Sequence, residues 1–215
     1  MDFVSILILA AGGLCAYLVG NFSTAIKITR AHDIDIRKVG SGNPGGTNVM
    51  RAMGKRYGVM VMILDISKGA AGTAACWALV HFFAPEHVPL GLCIGSLCVV
   101  AGHNWPLAYR FRGGKGVATT LGSLFIISWP IGAIVLVVGL LMLAITRRMS
   151  VAVLIAISCG MITSVIFVCT DLLTFPAYYL LPTVAVMTAA MFVQHRANLG
   201  RIWRGEEKPL WGPKA

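Results

Sequence analysis

Charge is scarce in this chain, and negative charge is scarcest. Of 215 residues only 12% are charged, with 8 Asp and Glu against 18 Lys and Arg. A water-soluble domain of this length needs a polar shell that such numbers do not provide. No metal-ligand pattern is present. The six cysteines (15, 76, 93, 98, 159, 169) stand singly in apolar runs, and Cys93 and Cys98 are too far apart for a CxxC pair. They read as small buried hydrophobes. Met1-Asp2-Phe3 has no positive n-region, and the apolar run after it is too long for a cleaved signal, so it reads as a retained first span. There is no visible internal repeat and no low-complexity tract. None of the histidines at 32, 81, 87, 103 and 195 is followed by Asp at the His-x4-Asp spacing.

What is present is apolar length. Hydrophobic residues make up 57% of the chain. Several runs approach or exceed the ~20 residues that cross a bilayer as helix. The expected class is an all-α integral membrane protein, with residues 1–215 as a single polytopic domain. Spans are expected at Val4 to Ile26, Tyr57 to Phe83, Val88 to Ala101, Val151 to Val168 and Phe175 to Val193. Val117 to Thr146 is almost continuously apolar, either one tilted helix or two passes hinged at Ser128-Trp129-Pro130.

Charge placement selects between these. With two passes there are seven transmembrane helices, and every Lys and Arg except Lys68 falls on one side. The other side holds Asp2, Glu86 and Asp171. The positive-inside rule then puts the N-terminus outside and the C-terminus in the cytoplasm. The fourth helix is short, roughly 18 Å against a core of ~30 Å, and must be sheltered by neighbours or by a thinned bilayer. This bias also accounts for the net charge of +10 without nucleic acid as a partner. Three polar segments, about 28–56, 102–116 and 194–215, become cytoplasmic and can converge on one site.

The first segment holds Val39 to Arg51, with four glycines, a proline, and the small polar side chains Ser41, Asn43, Thr47 and Asn48. Gly and Pro exclude regular structure, so the backbone turns with N–H groups outward. Exposed N–H groups before a helix start cradle an anion, and Arg51 adds a planar fork. Span two carries Asp65 and Lys68 three residues apart, on one helical face. This is either a structural ion pair or Lys68 holding an anion while Asp65 orients it. The second segment carries His103, a general base or a helix-end residue. It also carries Gly113-Gly114-Lys115-Gly116 before a helix running into Thr119, again a phosphate geometry. The third presents His195, Asn198 and Arg201 at i, i+3, i+6. A basic anchor for anionic lipid fits Arg204, Lys208 and Lys214 but leaves His195 and Asn198 without a reason.

Ser41 to Arg51, Asp65 to Gly69, Gly102 to Pro106 with Phe111 to Thr119, and His195 to Arg201 resemble, in order, the signatures of the bacterial acyl-phosphate:glycerol-3-phosphate acyltransferases, the PlsY family. Gly46 stands where Ala is usual, Arg112 where Lys is usual, and Ala197 where an acidic residue is usual. The resemblance implies acyl transfer from acyl phosphate to glycerol 3-phosphate, giving lysophosphatidic acid at the cytoplasmic face of the bacterial inner membrane. The candidate catalytic set is Ser41, His103, Lys115 and His195, with Ser41 binding rather than attacking and the proton going to His103, His195 or the departing phosphate, of which the resemblance favours the phosphate. Substrate contacts fall to Gly42, Asn43, Thr47, Asn48, Arg51, Lys68, Gly114, Gly116, Thr119, Asn198 and Arg201, with Asp65 orienting. No metal or cofactor is expected, because acyl phosphate is already activated. Candidate partners are membrane lipid and the soluble enzyme that makes acyl phosphate. The competing reading is a transporter of a phosphorylated metabolite. Against it, the polar loops lie on one face, and the repeats that many transporters show are missing.

Overall fold

The computed structural model describes residues 1–170 and 176–211. Asp171 and Lys214, which entered the charge argument, lie outside the described residues. All regular structure among the described residues is helical. The chain forms two compact units, Met1–Ile127 and Ser128–Ala215.

The first unit contains α1 (Phe3–Gly20), α2 (Thr24–Arg30), α3 (Gly46–Met53), α4 (Lys55–Phe83), α5 (Val88–Asn104) and α6 (Val117–Ile127). Span one was expected to be continuous; it breaks after Gly20, and Ser23 caps α2 by accepting the Ile26 N–H at 3.3 Å. The break is held open from outside the helix, because the Asn21 side chain accepts the Ala108 N–H at 3.2 Å. Helices α1, α4 and α5 pack mutually, and α6 packs on α4 and α5. Small residues allow these approaches. A Cβ at Gly69 would run into the Thr119 carbonyl, and one at Gly122 into that of Ile66. The same crossing is joined by a hydrogen bond from Thr73 Oγ1 to Ser123 Oγ at 3.1 Å. The short α6 is thus sheltered, with Thr119, Gly122, Ser123 and Leu124 buried.

The second unit contains α7 (Trp129–Thr146), α8 (Met149–Cys169), α9 (Ala177–Gln194) and α10 (Arg196–Trp203). The apolar run from Val117 to Thr146 is therefore two helices. Ser128 is extended at the corner, and Pro130 sits in the first turn of α7, where its missing N–H costs nothing. Helix α7 leaves Val137, Leu140, Leu141 and Ile145 exposed, an apolar surface that suits hydrocarbon rather than water. Five helical stretches are long and apolar enough to cross a membrane, and α6 and Tyr178–Gln194 are shorter apolar helices. Cys15 and Cys169 are exposed on helix surfaces rather than buried as expected, while Cys76 and Cys93 are buried.

Candidate active site

The first polar segment rests on an apolar seat. Ala25 and Ile26 of α2, Ile36 of a 3₁₀ turn (Ile36–Lys38), Val49 of α3 and Val61 of α4 form a buried cluster. The turn starts at Asp35, whose carboxylate accepts the Arg37 N–H and pairs with its guanidinium at 3.1 Å. Hydrogen bonds from Arg37 hold the Asp35 carboxyl below its ordinary pKa.

Above this seat the chain reverses through Gly40 (φ 60°) and Gly42 (φ 69°), both in the left-handed region that glycine enters without strain. Asn48, in the first turn of α3, fixes the loop. Its Oδ1 accepts the Ser41 N–H at 3.1 Å, and its Nδ2 donates to the carbonyls of Ile36 (3.2 Å) and Val39 (2.8 Å). Asn48 was expected among the substrate contacts; its amide is spent within the loop, and it is 2% exposed. Ser41 stays exposed, with its hydroxyl accepting the Asn43 N–H at 3.4 Å. Helix α3 starts at Gly45 with no side-chain cap, so its leading N–H groups face the loop where Gly42, Asn43 and Thr47 lie. Arg51 is exposed in the last turn of α3. Gly46 has a local reason for lacking a methyl, since a Cβ there would lie 2.8 Å from the Gly58 carbonyl of α4.

Beneath the second segment lies a buried polar quartet. Lys68 Nζ meets Asp65 Oδ1 at 3.0 Å, His103 Nδ1 at 2.9 Å and the Phe22 carbonyl at 2.8 Å. Thr24 Oγ1 donates to Asp65 Oδ1 at 2.7 Å. An ammonium has three donors, and all three of Lys68's are committed here. The break between α1 and α2 explains the third, because the Phe22 carbonyl is released from helix pairing. The sequence left two readings for each: Lys68 as a structural pair or an anion holder, His103 as a base or a helix-end residue. The quartet occupies the Lys68 donors and the acceptor nitrogen of His103, which leaves the His103 proton on Nε2.

The quartet positions the glycine turn. Gly113 N–H donates to the Asn104 carbonyl at 3.2 Å, and Gly114 N–H to the His103 carbonyl at 3.1 Å. A Cβ at Gly114 would collide with the His103 imidazole. Gly116 (φ 78°) then turns the chain into α6. Lys115 and Gly116 stand directly ahead of the α6 N-terminus. Thr119, expected as a contact, is fully buried against α4, and its hydroxyl has no hydrogen-bond partner among the described residues.

In the second unit, His195 forms the corner between α9 and α10. Its Nδ1 donates to the Met191 carbonyl at 2.9 Å, which makes Nε2 the basic nitrogen. Asn198 Nδ2 donates to Ser150 Oγ (2.5 Å) and to Glu207 Oε1 (2.8 Å). Ser150 donates to Glu207 Oε1 at 2.6 Å, and Arg201 Nε to Oε2 at 2.7 Å. Burial alone would raise the pKa of Glu207. The hydrogen bonds from Ser150, Asn198 and Arg201 outweigh that and hold it below its ordinary value. Neither Glu207 nor Ser150 was singled out from sequence. Glu207 supplies the carboxylate that position 197 lacks, but only after a reversal at Gly205 (φ 72°) brings the tail back. Among the described residues no cluster of His, Cys, Asp or Glu fits a metal ion.

A family model described as glycerol-3-phosphate acyltransferase matches residues 10–205. The chain is 38% identical over 215 residues to the glycerol-3-phosphate acyltransferase of Clostridioides difficile (strain 630), covering 98% of each chain. It is 36% identical over 211 residues to that of Paramagnetospirillum magneticum (strain AMB-1), covering 96% of each. It is also similar to the crystal structure of PlsY (YgiH), an integral membrane glycerol 3-phosphate acyltransferase, in its glycerol 3-phosphate form. That match has a TM-score of 0.81 and 30% identity, over 97% of this chain and 96% of the other. The lysophosphatidic acid form matches with a TM-score of 0.79 and 29% identity, over 95% of this chain and 94% of the other. Fold and comparisons together define an integral-membrane acyltransferase. The chain belongs to the glycerol-3-phosphate acyltransferase family, represented among solved structures by PlsY.

Proposed function

We propose that the chain moves a fatty acyl group from acyl phosphate to glycerol 3-phosphate and releases lysophosphatidic acid, as a step of phospholipid synthesis. The observation that carries this reading is the Ser41–Arg51 loop, whose backbone Asn48 fixes and in which Ser41 and Arg51 are exposed on either side of the uncapped α3 N-terminus. The substrate hydroxyl attacks the acyl carbonyl, the carbon–oxygen bond to phosphate breaks, and phosphate leaves. Ser41 and loop N–H groups donate to the developing oxyanion. Arg51 and Lys115 bind phosphate in the first unit; in the second, Asn198 and His195 are proposed as contacts for glycerol. The hydroxyl proton goes to the departing phosphate; His195 Nε2 is the alternative acceptor. Lys68, Asp65 and His103 support the glycine turn rather than touching substrate. The donor carries its own leaving group, so no acyl-enzyme is needed. Purified protein with labelled glycerol 3-phosphate should turn over with acyl phosphate and fail with acyl-CoA and acyl carrier protein. Comparable rates with acyl-CoA would overturn the donor assignment.

Arg51→Ala should lower kcat/KM roughly ten- to a hundredfold or more, the worth of one charge-assisted hydrogen bond. Arg51→Lys should restore only part of it if the contact is bidentate. Steady-state kinetics with glycerol 3-phosphate varied would show this, and near-normal values for the alanine variant would remove Arg51 from the site.

The same reading includes seven spans, with the N-terminus outside and the active site facing the cytoplasm of a bacterial inner membrane. Ser128 is buried, whereas Trp129 beside it is 70% exposed and is the better reporter of that corner. In a cysteine-free background, Trp129→Cys should be labelled by an impermeant thiol reagent added to spheroplasts. Ser41→Cys and Arg204→Cys should react only after permeabilisation. Labelling of position 129 from the inside alone would leave α6 and α7 as one re-entrant excursion.

A further inference from the structure

A cleft of about 530 Å³ lies in the first unit, lined by Arg30, Arg37, Ala108, Tyr109, Arg110 and Arg112. None of the residues assigned above to acyl transfer lines it. Four guanidiniums face one space, and no carboxylate lines it. Arg37 is partly compensated by Asp35, and Asp33 on the same loop is exposed. All four arginines are exposed, so solvent and salt screen part of their repulsion, and an anion between them would relieve what remains.

The backbone supports the same conclusion. Arg110 (φ 54°) and Phe111 (φ 59°) are consecutive non-glycine residues in the left-handed region, an uncommon and strained arrangement. It is maintained by hydrogen bonds from Arg110 N–H to Leu107, Phe111 N–H to Pro106 and Arg112 N–H to Tyr109. The consequence is a turn with two faces. Arg110 and Arg112 line the cleft, while Trp105, Leu107 and Phe111 remain 40%, 60% and 57% exposed. The turn follows α5 where Pro85–Tyr109, a stretch long and apolar enough to cross the bilayer, comes to its end, which puts these side chains at a membrane boundary.

We propose that this cleft, lined by residues of the same two polar segments but by none of those assigned to acyl transfer, is a second phosphate site that holds the headgroup of an anionic membrane phospholipid. Guanidiniums supply paired donors to phosphate oxygens. The exposed Trp105, Leu107 and Phe111 give the attached acyl chains an apolar surface beside it. A free phosphate makes no use of that surface, whereas a lipid with acyl chains does.

The test uses delipidated full-length protein in neutral detergent, followed by native mass spectrometry. Phosphatidylglycerol, phosphatidylcholine and inorganic pyrophosphate are the probes. One phosphatidylglycerol per chain should be retained, phosphatidylcholine should not, and equimolar pyrophosphate should not displace the lipid. Arg30→Gln/Arg110→Gln should bind about tenfold more weakly or worse, because it removes two charge-assisted contacts. Arg30→Lys/Arg110→Lys, which keeps charge and guards against misfolding, should fall between the two. Lys55→Gln/Arg56→Gln removes the same charge from exposed positions outside the cleft and should bind as the unmodified protein does. Equal retention by the Arg30/Arg110 glutamine variant, or an equal loss in the Lys55/Arg56 control, would overturn the site. Stoichiometric pyrophosphate with no lipid retained would overturn the lipid as its occupant. Because the readout is binding, its failure is independent of acyl transfer.

Discussion

Asp65→Ala, made alone, is expected to destabilise the protein by about 3–5 kcal/mol, the scale for stripping one partner from a buried ion pair. Asp65 and Lys68 are 3% and 7% exposed, so the remaining ammonium has no water to turn to. Two of its contacts, the Phe22 carbonyl and His103, are neutral acceptors and do not replace a carboxylate. The double variant Asp65→Leu/Lys68→Met removes both charges with similar volume and should be milder than Asp65→Ala. Thermal unfolding in detergent of Asp65→Leu, Lys68→Met and the double closes the cycle. Additive losses would mean that the pair is uncoupled and the quartet incidental. A glycerol 3-phosphate KM that rises in the surviving double variant would fit the support of Gly113 and Gly114 through α5.

The second large effect is expected at Glu207. This carboxylate accepts from Ser150, Asn198 and Arg201, and its backbone carbonyl accepts from Arg148 Nε at 3.0 Å. Glu207→Ala strands three donors at once and should cost about 3 kcal/mol or more. It should also reduce activity, because Asn198 and Arg201 lose their common anchor. Glu207→Gln keeps the shape but not the charge and should lose less. The pH dependence has a definite sign. The folded-state pKa lies below the ordinary 4.5, so the stabilisation is fully present above pH 4.5. It is lost as pH falls through the lower folded value. A melting temperature that declines in acid for the unmodified protein, and declines less for Glu207→Gln, is the expected pattern. Parallel curves would mean that another carboxylate governs acid stability.

Much of this architecture could be read from the chain, and the misses have physical causes. The hinge at Ser128-Trp129-Pro130 was visible because proline stops a helix and charge bias demanded an extra pass. The break in span one was missed because hydropathy averages over Asn21 and Ser23, although a serine ahead of an apolar turn is an N-cap signal. Glycine content marked the first loop as a cradle, but spacing cannot say whether a loop asparagine faces a ligand or its own backbone. Asn48 does the latter. Glu207 and Ser150 are separated by 57 positions and meet only through the fold, so no local pattern could pair them. The i, i+3, i+6 spacing suggested one helical face for His195, Asn198 and Arg201; only Asn198 and Arg201 lie in α10, and His195 is the cap before it. What that face meets was not legible.

The crossing of α4 and α6 also bears on how the chain is built. Helix α6 has 11 residues, roughly 16 Å of rise, and cannot hold a place across hydrocarbon by itself. Its shelter is α4, through the close approaches at Gly69 and Gly122 and the Thr73–Ser123 hydrogen bond. Synthesis runs from the N-terminus, so α4 and α5 leave the ribosome before the helix they shelter. Gene order therefore supplies what helix length does not. A circular permutant beginning at α6 would present the short helix to the membrane with nothing to lean on, and quality-control proteolysis should remove it where the natural order survives.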